Sequence, residues 1–286
     1  MAIVITKEFT KMHNRTIEIL PLGDVHLGAA ACDEKEFKKC IDYIASNDDT
    51  YWIGMGDYCD FINMSDPRFD PASLAPWIKV SDLKNLATVE KEHFVEMTKP
   101  IAHKCLALVK GNHEDVIQRF YEYDIYNSIV TDMKKNAGVD QAERLGIGTY
   151  GYLILKIYMG KSKADGASRN VTINLHHGFT GGRLTGAKAL NMQRWLWSHD
   201  CDIVIWGHSH NKMSQYEGVE GVNKNGDVIV TPRIGVISGT FMSSTGKDSN
   251  TYSEIKGYMP LPSGNIPRIH IHTSTANSRA SVKATL

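Results

Sequence analysis

The sequence predicts an α/β fold in which a strand-rich second sheet packs on a parallel first sheet. Three observations carry this. Short apolar runs of strand length recur, and each closes on a glycine beside Asp, Asn or His. In the first half these runs alternate with segments of helical periodicity, the pattern of parallel pairing. In the second half strands crowd together and helical patterns become scarce.

The elements follow in order. Ile17–Leu22 is a strand that runs into Gly23-Asp24-Val25-His26. Asp33 then opens a helix carrying Phe37, Cys40, Ile41 and Ile44 on one face, with Asp33 and Glu36 spaced as a capping pair. Tyr51–Met55 is the next strand and ends in Gly56-Asp57. Residues 60–80, with Pro67, Pro71 and Pro76, read as a long ordered loop beside the strand ends, able to serve as a lid or wall. Ser81–His103 reads as one long helix with Pro100 near its end. Leu106–Val109 is a strand leading to Gly111-Asn112-His113-Glu114. Glu114–Asn136 is helical, and Gly138 stands just beyond it. Ala187–Ser198 is a further helix. Tyr152–Tyr158, Val171–Leu175, Ile203–Trp206, Val228–Thr231, Arg233–Ile237 and Arg268–His272 read as strands, and the segments 160–169 and 218–226 as hairpin or surface loops. No interdomain linker or repeat interrupts this series, so 1–286 reads as one domain. Its tail from about residue 273, rich in Ser, Thr, Ala and Lys, reads as loosely ordered.

Composition removes several classes. Hydrophobic residues make up 42% and charged residues 22%, as in an ordinary globular protein. Lys+Arg and Asp+Glu are both 32, so bulk charge does not demand a nucleic acid. The five cysteines form no CxxC pair, which argues against a disulfide framework or a thiolate zinc site and suits free thiols in a reducing cytoplasm. No stretch approaches the ~18 apolar residues of a membrane span, and the N-terminal residues lack the apolar run of a signal peptide.

The chemistry lies at the strand ends. Ligands of open α/β sheets bind at the carboxyl ends of the strands. Five such ends here carry Asp24 and His26, Asp57, Asn112, the His176-His177 pair, and His208 and His210. Asp24 and His26 are two residues apart, which in extended backbone turns both side chains to one face, and His208 and His210 repeat the device. Crowded ionisable groups are costly unless paired or bound to metal. The donors are nitrogen and oxygen without sulfur, which suits Mn²⁺, Fe or Zn²⁺. Seven are too many for one ion and suit two ions about 3.5–4 Å apart sharing a carboxylate, the arrangement that hydrolyses phosphate esters through an ionised water held between the metals.

Taken together, Gly23-Asp24-Val25-His26, Gly56-Asp57, Gly111-Asn112-His113-Glu114, His176-His177-Gly178 and Gly207-His208-Ser209-His210 resemble the motif series of the calcineurin-like metallophosphoesterase superfamily. The resemblance implies an α-β-β-α sandwich: two packed mixed sheets flanked by helices. It implies two divalent ions, Mn²⁺ foremost, with Asp24, His26 and His210 on the first and Asn112, a histidine of the 176–177 pair and His208 on the second. Asp57 would bridge both. His177 precedes a glycine, as the single histidine does in some members; His176 corresponds to the ligand in members with His-His-Pro. His113 looks like the histidine that contacts the scissile phosphate, and Glu114 like a group that orients its neighbours.

The implied activity is hydrolysis of a phosphodiester or phosphomonoester, with a nucleotide or nucleic acid among the substrates and no membrane partner. Asp24-Val25-His26-Leu27-Gly28 is also similar to the opening motif of DNA-repair nucleases of the superfamily, whereas the chain has no dense basic run to hold DNA. The Gly181-Gly182-Arg183 turn and the stretch from Tyr252 to Tyr258 resemble phage or prophage members. Arg183 has the fork that meets a substrate phosphate, or is an ordinary loop arginine. A catalytically inactive metal-binding scaffold is the remaining class, and the filled donor positions argue against it. Asp60 reads as a helix cap or turn residue, and His270 and His272 as the polar face of an edge strand.

Overall fold

The computed structural model describes residues 2–164, 167–178, 184–223, 225–245, 254, 260, 263–264, 266–273 and 280–286. Its architecture follows from strands that are apolar on both faces. In the strand Thr16–Leu22 (β2), Ile17 and Ile19 enter one core while Leu20 and Leu22 enter another, and all four are buried. A strand apolar on both faces has to be covered on both.

The other strands are β1 (Ile3–Phe9), β3 (Thr50–Gly54), β4 (Cys105–Val109), β5 (Gly146–Gly148), β6 (Tyr150–Tyr158), β7 (Ser168–His176), β8 (Ile203–Trp206), β9 (Lys212–Val222), β10 (Val228–Ser238), β11 (Arg268–His272) and β12 (Ser281–Thr285). The helices are α1 (Glu34–Ser46), α2 (Leu86–Thr98), α3 (Asn112–Tyr121), α4 (Ile125–Ala137) and α5 (Thr185–Ser198). The first sheet has the order β12-β11-β2-β3-β4-β5 and the second β1-β6-β7-β8-β10-β9. β2 to β5 run parallel, with β11 and β12 antiparallel at one side. In the second sheet β7, β8 and β10 run parallel, while β6–β7 and β10–β9 are antiparallel.

One core fills the space between the sheets, where Ile17, Ile53 and Val109 meet Leu153, Ile173 and Ile205. A second lies between the first sheet and its helices, with Leu20, Trp52 and Leu108 against Phe37, Phe94 and Ile129. A third joins Met192 and Leu196 of α5 to Val204 and Trp206. The result is the expected α-β-β-α sandwich of mixed sheets. Helix α1 starts as the sequence predicts: Glu36 donates its backbone N–H to Asp33 at 3.1 Å.

Several elements differ from expectation. Ser81–His103 is not one helix, because 3-10 turns at Val80–Asn85 and Lys99–Lys104 flank α2. Glu114–Asn136 breaks at Glu122, which takes φ 54°, and Asp124 caps a fresh helix by accepting from Asn127 at 3.0 Å. β1 had no strand signal strong enough to stand out, since its Thr6, Lys7 and Glu8 interrupt the apolar alternation. Of the two alternatives for 218–226, the hairpin holds: residues 218–222 continue β9 in its pairing with β10. Residues 281–285 form β12 against β11, so this part of the tail is a strand: backbone pairing, rather than composition, decides it. β11 therefore lies inside the sheet; His272 meets Thr16 at 3.1 Å and His270 meets Thr285 at 3.2 Å. The proline-rich loop returns to the segment after His26, where Ala30 donates to Ser73 and Ala75 to Gly28, each at 2.7 Å.

Candidate metal centre

The parallel strands of both sheets end at one edge, and the loops that follow are laced together there. Asp24 N–H donates to the Gly56 carbonyl at 3.0 Å, and Gly207 N–H to the His177 carbonyl at 2.9 Å. Such close backbone approach explains the glycines. A Cβ on Gly56 would lie 2.6 Å from Gly111 N, and its φ of 90° favours glycine; a Cβ on Gly111 would lie 2.2 Å from Asp57 Oδ1.

Asp24, His26, Asp57, His208 and His210 all take left-handed backbone, with φ between 48° and 63°. The i, i+2 spacing therefore works through left-handed turns, not the extended geometry the spacing suggested. Each such residue costs about 1–2 kcal/mol, and such strain persists only where the surroundings over-determine it.

The donors converge in two sets. His26 Nε2 lies 3.2 Å from His210 Nε2, and His210 Nε2 lies 3.5 Å from Asp24 Oδ1. Asn112 Oδ1 lies 3.0 Å from His177 Nε2 and 2.7 Å from His208 Nδ1. Asp57 stands between the sets, its Oδ2 3.3 Å from His177 Nε2 and 4.0 Å from His26 Nε2. Asp24-His26-His210 and Asp57-His177-His208 can each hold a cation.

The residues fit metal on their own chemistry. Asp24 Oδ1 is buried and accepts no hydrogen bond, a costly state for a carboxylate oxygen. Burial, and then Asp57, push the Asp24 carboxyl up to about 8. His177 Nδ1 sits 2.7 Å from the Met55 carbonyl, so it carries a proton there and turns Nε2 toward Asp57 and Asn112. Burial lowers the His177 pKa, but the Asp57 carboxylate outweighs it and raises the ring to about 10. Burial likewise opposes Asp57, yet His177 and His113 hold its carboxyl well below the usual range. Burial and His26 depress His210.

Buried carboxylates support the first-sheet donors. Glu114 accepts from Asp57, Tyr58 and Gly111 N–H at 3.1, 2.9 and 2.8 Å, which fixes the Asp57 turn. Burial raises it to about 7. Asp60 is neither helix cap nor simple turn residue. Its Oδ1 meets His26 Nδ1 at 3.2 Å, and its carbonyl accepts from His113 Nδ1. His113 stands edge-on to His26, ring centroids 4.6 Å apart, and its backbone N–H donates to Asp57 Oδ1 at 2.9 Å. Asp60 was missed because nothing local marks it beyond the repeated Asp of Gly56-Asp57-Tyr58-Cys59-Asp60. Glu90 of α2 extends the chain by accepting from Phe61 N–H at 2.8 Å.

Residues 17–212 match the sequence model of the calcineurin-like phosphoesterases. The chain belongs to that family. No curated protein sequence matches this phosphoesterase significantly. Solved structures similar to it include a conserved uncharacterized protein of Streptococcus pneumoniae TIGR4 described as a predicted phosphoesterase (11% identity, 94% of this chain and 98% of that chain, TM-score 0.33). A metallophosphoesterase from Sphaerobacter thermophilus is similar at 10% identity over 94% and 89% of the chains, TM-score 0.36. The Vps29 double mutant of Entamoeba histolytica is similar at 10% identity over 94% and 98%, TM-score 0.33. Likeness of this size says nothing about substrate.

Within this calcineurin-like phosphoesterase, His176 and His177 part company. His176 accepts from Gly178 N–H at 2.7 Å and packs on Trp195 of α5, ring centroids 5.3 Å apart, away from the donor sets. Burial and His177 lower it to about 4. Arg183 with its Gly181-Gly182 turn, and most of the stretch from Tyr252 to Tyr258, lie outside the described residues. Among the described residues no helix is long and apolar enough to cross a membrane.

Proposed function

We propose that this single-domain chain hydrolyses phosphate esters with two divalent metal ions, Mn²⁺ being the best match to its nitrogen and oxygen donors. Asp24, His26 and His210 hold one ion; Asn112, His177 and His208 hold the other; Asp57 is shared. The observation that carries this reading is the convergence of two donor sets on Asp57, with Asp24 Oδ1 buried and unsatisfied beside them. The ions supply charge to phosphate oxygens and an ionised water near neutral pH.

The chain's own groups do the rest. Glu114 fixes the Asp57 turn, and Asp60 and the Met55 carbonyl hold the Nδ1 protons of His26 and His177, aiming each Nε2 at the centre. His113 is the catalytic histidine. Its Nδ1 proton goes to the Asp60 carbonyl, so Nε2 meets the substrate. Burial lowers its pKa, but Asp57 and Asp60 outweigh this and raise it, which favours the imidazolium. That form stabilises charge on the phosphoryl oxygens or protonates the departing oxygen. Nucleotides and nucleic-acid ends are the natural substrate classes to try, in a cytoplasmic setting.

The test is hydrolysis of a chromogenic phosphomonoester, a chromogenic phosphodiester and single-stranded DNA by the Mn²⁺-loaded protein, with Asp57→Asn as control. Turnover that disappears in the variant together with bound metal supports the reading. A variant that keeps both metal and turnover ends it.

A further inference from the structure

We infer that Lys188 binds an anionic oxygen of the substrate beside the His208–His210 turn, so that the site favours phosphomonoesters, which carry two negative charges, over phosphodiesters. This rests on the phosphoesterase reading above.

Lys188 Nζ donates to the Ser209 carbonyl at 3.1 Å and to Asn211 Oδ1. Ser209 stands between two of the metal donors and Asn211 follows the second, so the ammonium lies against the turn that carries both. An ammonium has three N–H donors. Two are spent on neutral acceptors, and no carboxylate among the described residues pairs with it. Residues 179–183, just before α5, contain no acid either.

Lysines elsewhere that are buried or half-buried, as Lys188 is, show how this chain compensates such a charge. Lys91 pairs with Asp132 at 2.7 Å and Lys110 with Asp115 at 2.8 Å. Lys104 has neutral acceptors only, but they are the Ile44 and Asn47 carbonyls at the C-terminus of α1. Lys134 reaches the Gln141 carbonyl from the last turn of α4. A helix C-terminus carries partial negative charge that favours a cation. Lys188 sits in the first turn of α5, where the helix dipole disfavours a cation, and that turn holds no acid. Burial lowers its pKa, with no opposing charge beside it among the described residues. The arrangement costs stability and leaves a positive charge that an incoming anion neutralises.

The phosphate chemistry then discriminates. A diester has two non-bridging oxygens and one charge. A monoester has three, and about two charges at neutral pH. The additional oxygen is the one that gains from Lys188.

The experiment uses the Mn²⁺-loaded full chain and inorganic phosphate as probe, titrated by calorimetry. Lys188→Gln keeps hydrogen-bond donors and removes the charge. It is expected to weaken phosphate binding about tenfold or more, the worth of one charged hydrogen bond. It should lower the monoester-to-diester ratio of kcat/KM by a similar factor, with manganese content unchanged. Lys188→Arg should bind phosphate within about threefold of wild type, and it decides the matter alone if Lys188→Gln fails to fold; a tenfold loss in Lys188→Arg would count against the inference. Unchanged phosphate affinity in Lys188→Gln overturns it, as does loss of manganese, which would make Lys188 a prop of the turn. Wild-type protein that binds no manganese removes the phosphoesterase reading and this inference together. Intact metal with an indifferent Lys188→Gln removes this inference alone.

Discussion

The first sheet brings Asp24, His26, Asp57 and Asn112 to the centre, and the second brings His177, His208 and His210. The supports behind them differ. Behind the first set stand the half-buried carboxylate Asp60 and the buried carboxylates Glu90 and Glu114, which hold His26 and the backbone N–H groups of Asp57, Tyr58, Phe61 and Gly111. The second set is met by the Met55 carbonyl, which holds His177, and by Lys188, which has no carboxylate partner among the described residues and lies against Ser209. Burial cuts across this division. Asp24, Asp57 and His177 are 0%, 2% and 4% exposed, whereas Asn112 is exposed and the His210 side chain is 31% exposed. The carboxylates of the two donor clusters thus come from the first sheet, while the second sheet supplies imidazoles.

This contrast can be broken in order of size. Asp57→Asn removes the shared carboxylate. Because supporting residues alone cost about 10- to 100-fold at metal sites, it should lower kcat/KM by more than about a hundredfold. Elemental analysis of the same sample should show lost metal. Asp60→Asn keeps the shape, weakens the hold on His26 and removes the negative charge beside His113. A loss of about 10- to 100-fold with metal partly retained is expected, read from turnover and metal content together. If Asp60→Asn were as damaging as Asp57→Asn, the division between donors and supports would be wrong.

Protons give a second handle. Asp24 is raised to about 8 and His177 to about 10 in the metal-free fold. Both hold protons at pH 7 that the unfolded groups, near 3.8 and 6.5, largely release. Stability from these groups is present at lower pH and is lost as pH rises. The metal-free protein should therefore melt at progressively lower temperature between about pH 7 and 8, a window in which the depressed His176 and His210 are neutral in both states. Mn²⁺ binding at pH 7 should release protons, measured by calorimetry in buffers of different ionisation heat. Metal at about 100 times its Kd should add about 2.7 kcal/mol and flatten this pH trend. A metal-free melting temperature that rises from pH 7 to 8 would show that Asp24 is already ionised.

The smallest effect sharpens the second-sheet side. His176→Gln should leave metal content intact and change stability by about 1 kcal/mol, whereas His177→Asn should lose metal. Reversed outcomes would exchange the two residues' roles.

Some of this was legible from residues alone. The parallel strands announced themselves as apolar runs because both their faces are buried, and the closing glycines marked where loops approach too closely for a Cβ. The donor types fitted metal because Asp, Asn and His placed at one sheet edge have no cheaper use. Helix breaks were not legible: Glu122 and the turns around α2 depend on packing that overrides helical periodicity. β12 was not legible because its order comes from pairing with β11, and pairing is a property of two segments.

The sequence by itself determined the order of the parallel strands that carry the donors, the two-sheet fold and the chemistry of the donors, since these follow from periodicity and residue type. Tertiary structure alone decided which atoms meet. Asp60, read locally as a turn residue, became the partner of His26 and His113 because the loop after β3 passes under both. His177 faces Asp57 while His176 faces Trp195, and Lys188 lies against Ser209 with no counter-ion among the described residues. Spacing predicts such orientations only while backbone stays regular. At this edge five donors adopt left-handed φ, and there the side-chain directions are set by contacts between distant segments.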